Sequence, residues 1–277
     1  MSLPYSPDGK HVETYKYTPT SPPAYAFTII FGLAAVAHIP LLILYRSRFM
    51  LPLLIGCICE AGGYYSRIWS AQDPGNIKPW VLTSLLTLGA PPFVAASVYM
   101  ALGRFVRVLA PETHAGLRPG LVAKLYVFFD VLSLVSQLAG AGMQVTTDPG
   151  VQESGGKVIL GGLIFHSLAF VAFIAVAVVF HRRIKREPEG VVREEVVGWE
   201  KHMWALYAAS LAILVRNIVR GIEYAQGRDG PLLRSEAPIY ALDAAPMAFV
   251  VVLYAVLHPG RLIKQSRAYY QAGGSKA

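Results

Sequence analysis

A chain of 277 residues that is 54% hydrophobic and only 15% charged lies outside the range of an ordinary soluble domain, in which about a quarter of residues are charged. Its apolar residues gather into runs of the ~20 residues that cross a bilayer, not into the alternating strands of a membrane barrel. The net charge of +8 does not point to nucleic acid, because the basic residues flank the apolar runs.

Residues 1–23 form a polar, Pro-rich tail, and no cleavable signal peptide is expected. The first span covers about 24–45, holds His38 and Pro40, and is closed by Arg46 and Arg48. The second, about 51–70, contains CEAGGYYSRIWS with Glu60, Tyr64 and Arg67. AQDPGNIKP is a turn. The third span, about 79–101, carries Pro91 and Pro92, which are expected to kink it because each lacks a backbone donor. A basic stretch, 103–124, leads into the fourth span, about 121–143, with Asp130, Ser133 and Gln137 at helical spacing. TTDPGVQESGGK reads as a loop before the fifth span, about 158–180, which holds His166. The charged loop HRRIKREPEGVVREE precedes the sixth span, 199–226, and the seventh covers about 237–257. The expected organisation is a polar tail (1–23), an all-α bundle of seven transmembrane helices (24–257) and a basic tail (258–277).

Lysine and arginine counts orient such a bundle. Sixteen lie in the loops after spans one, three and five and in the C-terminal tail; six lie in the N-terminal tail and the remaining loops. This asymmetry predicts an outside N-terminus and a cytosolic C-terminus. Trp69, Trp80, Trp199 and Trp204 fit interfacial belts.

Charges inside apolar runs are costly, so they face a bundle interior or a wet cavity and pair with one another. Arg216 and Glu223 are two helical turns apart on one face, with Arg220 between them, and Asp243 arrives on the next span. Glu60, Tyr64 and Arg67 repeat the pattern on span two. Traced by depth, Glu60, Arg67, Gln137, His166, Arg216, Arg220, Glu223 and Asp243 converge on the outer half of the bundle, which predicts one cavity lined by them. Each set reads in two ways, as an ion-pair network joining helices or as a ligand site. His38 and His166 offer axial ligation of haem or a metal, but no HxxxH or HExxH spacing is present, and no metal site is expected. The closely spaced glycines of GGY and GAGM point to close helix packing. No nucleotide-binding motif lies in a usable context, so an ATP-driven pump is unsupported.

The chain resembles the fungal lipid-translocating exporter family, the RTA-like proteins. The resemblance rests on EAGGYYSR (60–67), YMALGR (99–104), FFDVLSLVSQLAGAGM (128–143), GGLIFHSLAF (161–170), RNIVRGIEYAQG (216–227) and YALDAAPMAFVVVLYAVLHPGR (240–261). His166 departs from the family pattern, where glutamine is more usual. The resemblance implies seven spans, export of sphingoid bases, resistance to sterol analogues and stress tolerance.

The expected function is therefore translocation of an amphipathic lipid in a plasma membrane or endomembrane. Its contacts would come from Glu60, Tyr64, Arg67, Gln137, His166, Arg216, Arg220, Glu223, Tyr240 and Asp243. Membrane lipids are the expected partners, not nucleic acid, and the sequence gives no oligomeric state. An intramembrane enzyme is the alternative, with Glu60, Asp130, Glu223, Asp243, His166 and Tyr64 doing acid–base work on a lipid or isoprenoid. A seven-span receptor is the third reading.

Overall fold

A computed structural model describes residues 19–73, 76–109, 119–146, 148–186, 198–227 and 230–273. For 119–122 and 269–273 it gives the course of the helix only. The tail up to residue 18, the middle of the basic stretch (110–118) and most of the charged loop (187–197) lie outside the described residues.

Seven helical segments are long and apolar enough to cross a membrane. They are α1 (Ser21–Leu44), α2 (Leu51–Gln72), α3 (Ile77–Leu109), α4 (Pro119–Met143), α5 (Pro149–Arg186), α6 (Trp199–Gln226) and a seventh, interrupted one. The seventh begins as a π turn (Ile239–Ala244), continues as α7 (Ala245–Val256), breaks at Leu257 and His258, and resumes as α8 (Pro259–Gly273). The chain is an integral, multi-pass membrane protein.

Each helix packs on the next in sequence, and α7 returns to α1, closing a ring. Helix α3 is the most enclosed span and also touches α5 and α6. Helix α1 buries Ala24, Phe31, Ala34 and His38, one stripe at helical period, and turns Ile29, Leu33, Val36 and Ile43 outward. An outward apolar face is what lipid requires. Below, the end of the bundle where α1 begins is called the entry end, and the other the basic end.

Small residues set the closest approaches, as the sequence leads one to expect. A Cβ on Gly63 would stand 2.8 Å from Thr87 Cγ2, and one on Gly140 would stand 2.6 Å from the Gly155 carbonyl. Gly142 has no such neighbour.

One expectation changes. TTDPGVQESGGK is not all loop, because α5 starts at Pro149. Asp148 Oδ1 accepts from the Gly150 and Val151 amides at 2.8 and 3.3 Å, and proline suits the first turn. Lys157 and Glu153 pair one turn apart at 2.8 Å. These local features outweigh the polar, glycine-rich composition that reads as loop. Pro91 and Pro92 lie inside α3, which is helical from Ile77 to Leu109. A proline at 91 leaves the Thr87 carbonyl without its helical donor. Arg216 Nη2 from α6 donates to that carbonyl at 2.6 Å.

Candidate functional site

Toward the entry end, α2, α3, α6 and the π turn enclose a cluster of charges. The 3.6-residue period places Arg216 and Arg220 on the inner face of α6, both buried. Asp243 sits between them. Arg216 Nε lies 2.5 Å from Asp243 Oδ1, and Arg220 Nη2 donates to Asp243 Oδ2 at 2.6 Å. Arg220 Nη1 reaches back to Glu223 at 3.0 and 3.1 Å. Glu223 is the least enclosed member, its side chain 18% exposed.

The π turn aims Asp243. The Ala245 amide bonds to the Tyr240 carbonyl, one residue further back than in an α-helix, and Pro246 has no amide to offer. The same turn presents Tyr240, whose hydroxyl accepts from Arg67 Nε at 2.9 Å. Arg67 Nη2 meets Glu236 at 3.0 Å. Glu236 in turn accepts from the Thr20 amide at 3.0 Å and from its hydroxyl at 2.5 Å. Phe27 stacks on Tyr240, and Phe31 stacks on Tyr64. Arg67 is thus held at the mouth of the bundle by the entry to α1 and the entry to the seventh span.

Glu60 differs from the other acids. It is 2% exposed and within electrostatic reach of Asp243, Arg216 and Arg220. It makes no hydrogen bond or ion pair with another described residue. Tyr64, one turn along α2, has an unpartnered hydroxyl. Around Asp243 the protein therefore gathers three carboxyls, those of Glu60, Glu223 and Asp243, against the two guanidiniums of Arg216 and Arg220. A narrow cleft of about 20 Å³ reaches Glu223 and Asp243 past Val219, Leu232, Leu233, Ser235, Pro238 and Ile239. That is room for a water or so, with exposed Ser235 at its edge.

Of the residues expected to share one cavity, the structure brings together Glu60, Arg216, Arg220, Glu223 and Asp243, with Tyr64, Arg67 and Tyr240 adjoining. It places Asp130, Gln137 and His166 in a second cluster, between α3, α4 and α5. There His166 Nε2 lies 3.2 Å from Asp130 Oδ1, and the Tyr99 hydroxyl donates to the same oxygen at 3.2 Å. Gln137 donates to Ser133 Oγ at 2.8 Å, and Ser133 donates to the Gly162 carbonyl at 2.7 Å. Tyr126, Phe170 and Phe173 ring Tyr99.

His38 lies in a third place, its Nε2 3.0 Å from the Val251 carbonyl and its ring 6.3 Å from that of His258. No group of three His, Cys, Asp or Glu arranged to hold a metal occurs among the described residues.

Sequence reading missed several participants. The Thr87 carbonyl was signalled by Pro91. Glu236 was signalled by its place one turn before Tyr240. Asn217, buried on α6 with both amide atoms unpartnered, carried no signal beyond its neighbour Arg216.

Comparison with known proteins bears on most of the chain. Protoporphyrin uptake protein 1 of Saccharomyces cerevisiae is 32% identical over 209 residues, 74% of this chain and 67% of that protein. A probable lipid transporter, atnI, of Emericella nidulans is 28% identical over 274 residues, 94% and 70% of the two chains. The sphingoid long-chain base transporter RSB1 of Saccharomyces cerevisiae is 24% identical over 269 residues, 85% and 70%. No solved structure matches the chain. The family described as RTA1 like protein matches residues 53–266, a stretch that holds both arginines, all three carboxyls of the cluster and the π turn; the chain belongs to that family.

Proposed function

We propose that the protein is a membrane translocator of amphipathic lipids, and that a long-chain base carrying a protonated amine is the type of substrate its charge cluster suits. The observation that carries this reading is the excess of acid over base beside a cleft with apolar walls. Asp243 is occupied by two guanidiniums, whereas Glu223 faces the cleft and Glu60 holds no partner among the described residues. An ammonium entering past Val219 and Ile239 meets Glu223 first. Its hydrocarbon chain remains beside apolar side chains and lipid. Relatives named as a lipid transporter and as a sphingoid long-chain base transporter support the same substrate class. The protoporphyrin-named relative fits a family whose members take different amphipaths.

A cleft of this size admits no head group as it stands, so passage requires the π turn and the 230–238 stretch to move away from α6. The lysine and arginine asymmetry supports an outside position for this end, and on that reading the cleft is the exit. With no nucleotide site in view, movement is downhill or driven by a gradient.

The test is a labelled long-chain base in vesicles, followed both for leaflet position and for mass. Glu223→Gln keeps the shape of the side chain and removes its charge. It is expected to lower translocation of the amine roughly tenfold, the scale of one charge-assisted contact, and to affect an uncharged lipid of equal length less. Equal movement by wild type and variant would remove Glu223 from the mechanism. A product of altered mass made by the wild type would overturn the transport reading in favour of an enzyme.

A further inference from the structure

The last turns of α5 carry Val178, His181, Arg182 and Lys185, at positions i, i+3, i+4 and i+7 and so on one face. Trp204 and Tyr207, one turn apart on α6, stand opposite. Together these six side chains line a cleft of about 400 Å³ at the basic end, far from the charge cluster along α6. Its aromatic wall is braced. The Tyr207 hydroxyl donates to the Ala177 carbonyl at 3.1 Å, so it accepts from His181 Nδ1, also at 3.1 Å. The His181 ring stacks on Tyr207 and meets Trp204 edge-on. Trp204 is nevertheless 62% exposed, an indole open to lipid at the level where tryptophan favours the membrane interface.

The cationic side of the cleft is less engaged. Arg182 is exposed and forms no hydrogen bond or ion pair with another described residue. Lys185 pairs with Glu200 at 3.1 Å, but both side chains are about half exposed, and such pairs exchange readily. A guanidinium that can meet phosphate with two parallel hydrogen bonds thus stands over an apolar, aromatic-walled slot.

We propose that this cleft is a binding site for an acidic glycerophospholipid of the leaflet at the basic end. The phosphate sits on Arg182, with Lys185 beside it, and the glycerol and upper acyl chain lie along Trp204, Tyr207 and Val178. The site is distinct from the translocation cluster. A cationic long-chain base is repelled by Arg182, and the cleft near Asp243 presents a carboxyl, Glu223, to an incoming head group. Occupation would tie the end of α5 to the start of α6 through lipid, and so fix the helix that carries Arg216 and Arg220.

The experiment uses the full chain in phosphatidylcholine nanodiscs containing a minor share of phosphatidylglycerol, with retained lipid counted by native mass spectrometry. Wild type is expected to keep phosphatidylglycerol in preference to phosphatidylcholine. Arg182→Gln is expected to lose roughly fivefold of that preference, the scale of one basic residue at an anionic surface. Arg183→Gln, which removes the same charge from outside the cleft, is expected to keep it, and Trp204→Ala to weaken retention without a change of charge. Equal retention by the Arg182 and Arg183 variants would overturn the proposal. So would displacement of the lipid by soluble glycerophosphate, which would show a phosphate site and no lipid site. Lipid retention is read without transport, so failure here leaves the translocation reading standing, and failure of translocation leaves this one standing.

Discussion

The two buried polar clusters share ingredients and differ in arrangement. Asp130 meets one histidine and one tyrosine inside a shell of aromatic rings, and each bond joins neighbouring helices of the ring. Asp243 meets two arginines, with two further carboxyls close by and a cleft leading to one of them. The first cluster holds a single carboxyl, met by a histidine and a tyrosine on one oxygen, and reads as a lock between α3, α4 and α5, although Asp130 Oδ2 and Gln137 Oε1 stay unpartnered. The second has more acid than it can pair and a way in. An unpaired acid with access, rather than burial of charge alone, separates a site from a structural fastening.

Three substitutions sharpen or break that contrast. The largest effect is expected from Asp243→Asn, which leaves Arg216 only the Thr87 carbonyl and Arg220 only Glu223 in a low-dielectric interior. The loss should be about 3–5 kcal/mol, as when one partner of a buried pair is removed. Unfolding in detergent should show it, and neutralising Arg220 in the same chain should recover part of it. No recovery in the double variant would mean that the pairing is not the source of stability.

A smaller loss, about 1.5–3 kcal/mol, is expected for Asp130→Asn, since an amide keeps one bond to Tyr99 and weakens that to His166. This variant should still translocate a labelled long-chain base once folded. If Asp130→Asn stops translocation at full stability, the lock is part of the mechanism and the contrast fails.

The smallest loss belongs to Arg216→Lys, about 1 kcal/mol. One ammonium cannot hold both Asp243 and the Thr87 carbonyl in the geometry of a guanidinium. Replacing Pro91 with alanine in that background supplies a backbone donor to Thr87 and is expected to return much of the loss. An unchanged value would show that the freed carbonyl matters little.

The seven spans were legible because hydropathy acts over twenty residues at a time. That Arg216 or Arg220 would pair with Glu223 or Asp243 was legible as well, since intramembrane charges seek partners and only a few lie at that depth; that Asp243 takes both was not. What stayed hidden depends on tertiary contact. The helical start of α5 is decided by the cap at Asp148, against its composition. The separation of Gln137 and His166 from the arginines depends on which way each helix faces, and equal depth in the bilayer does not imply one cavity. Glu236 lay in a stretch that reads as connection, and its role appears only once the entries to the first and seventh spans are seen side by side.

The π turn at Ile239–Ala244 has a mechanical meaning beyond aiming a carboxylate. It stores one residue more than an α-helix of the same length holds. Rewinding it as α would rotate everything before it by about 100° relative to α7. Tyr240 and Glu236, which grip Arg67, lie within or before the turn, and Asp243, which grips α6, lies within it. Both grips therefore belong to one winding register. A change of winding by a single residue would therefore release the seventh span from α2 and α6 together.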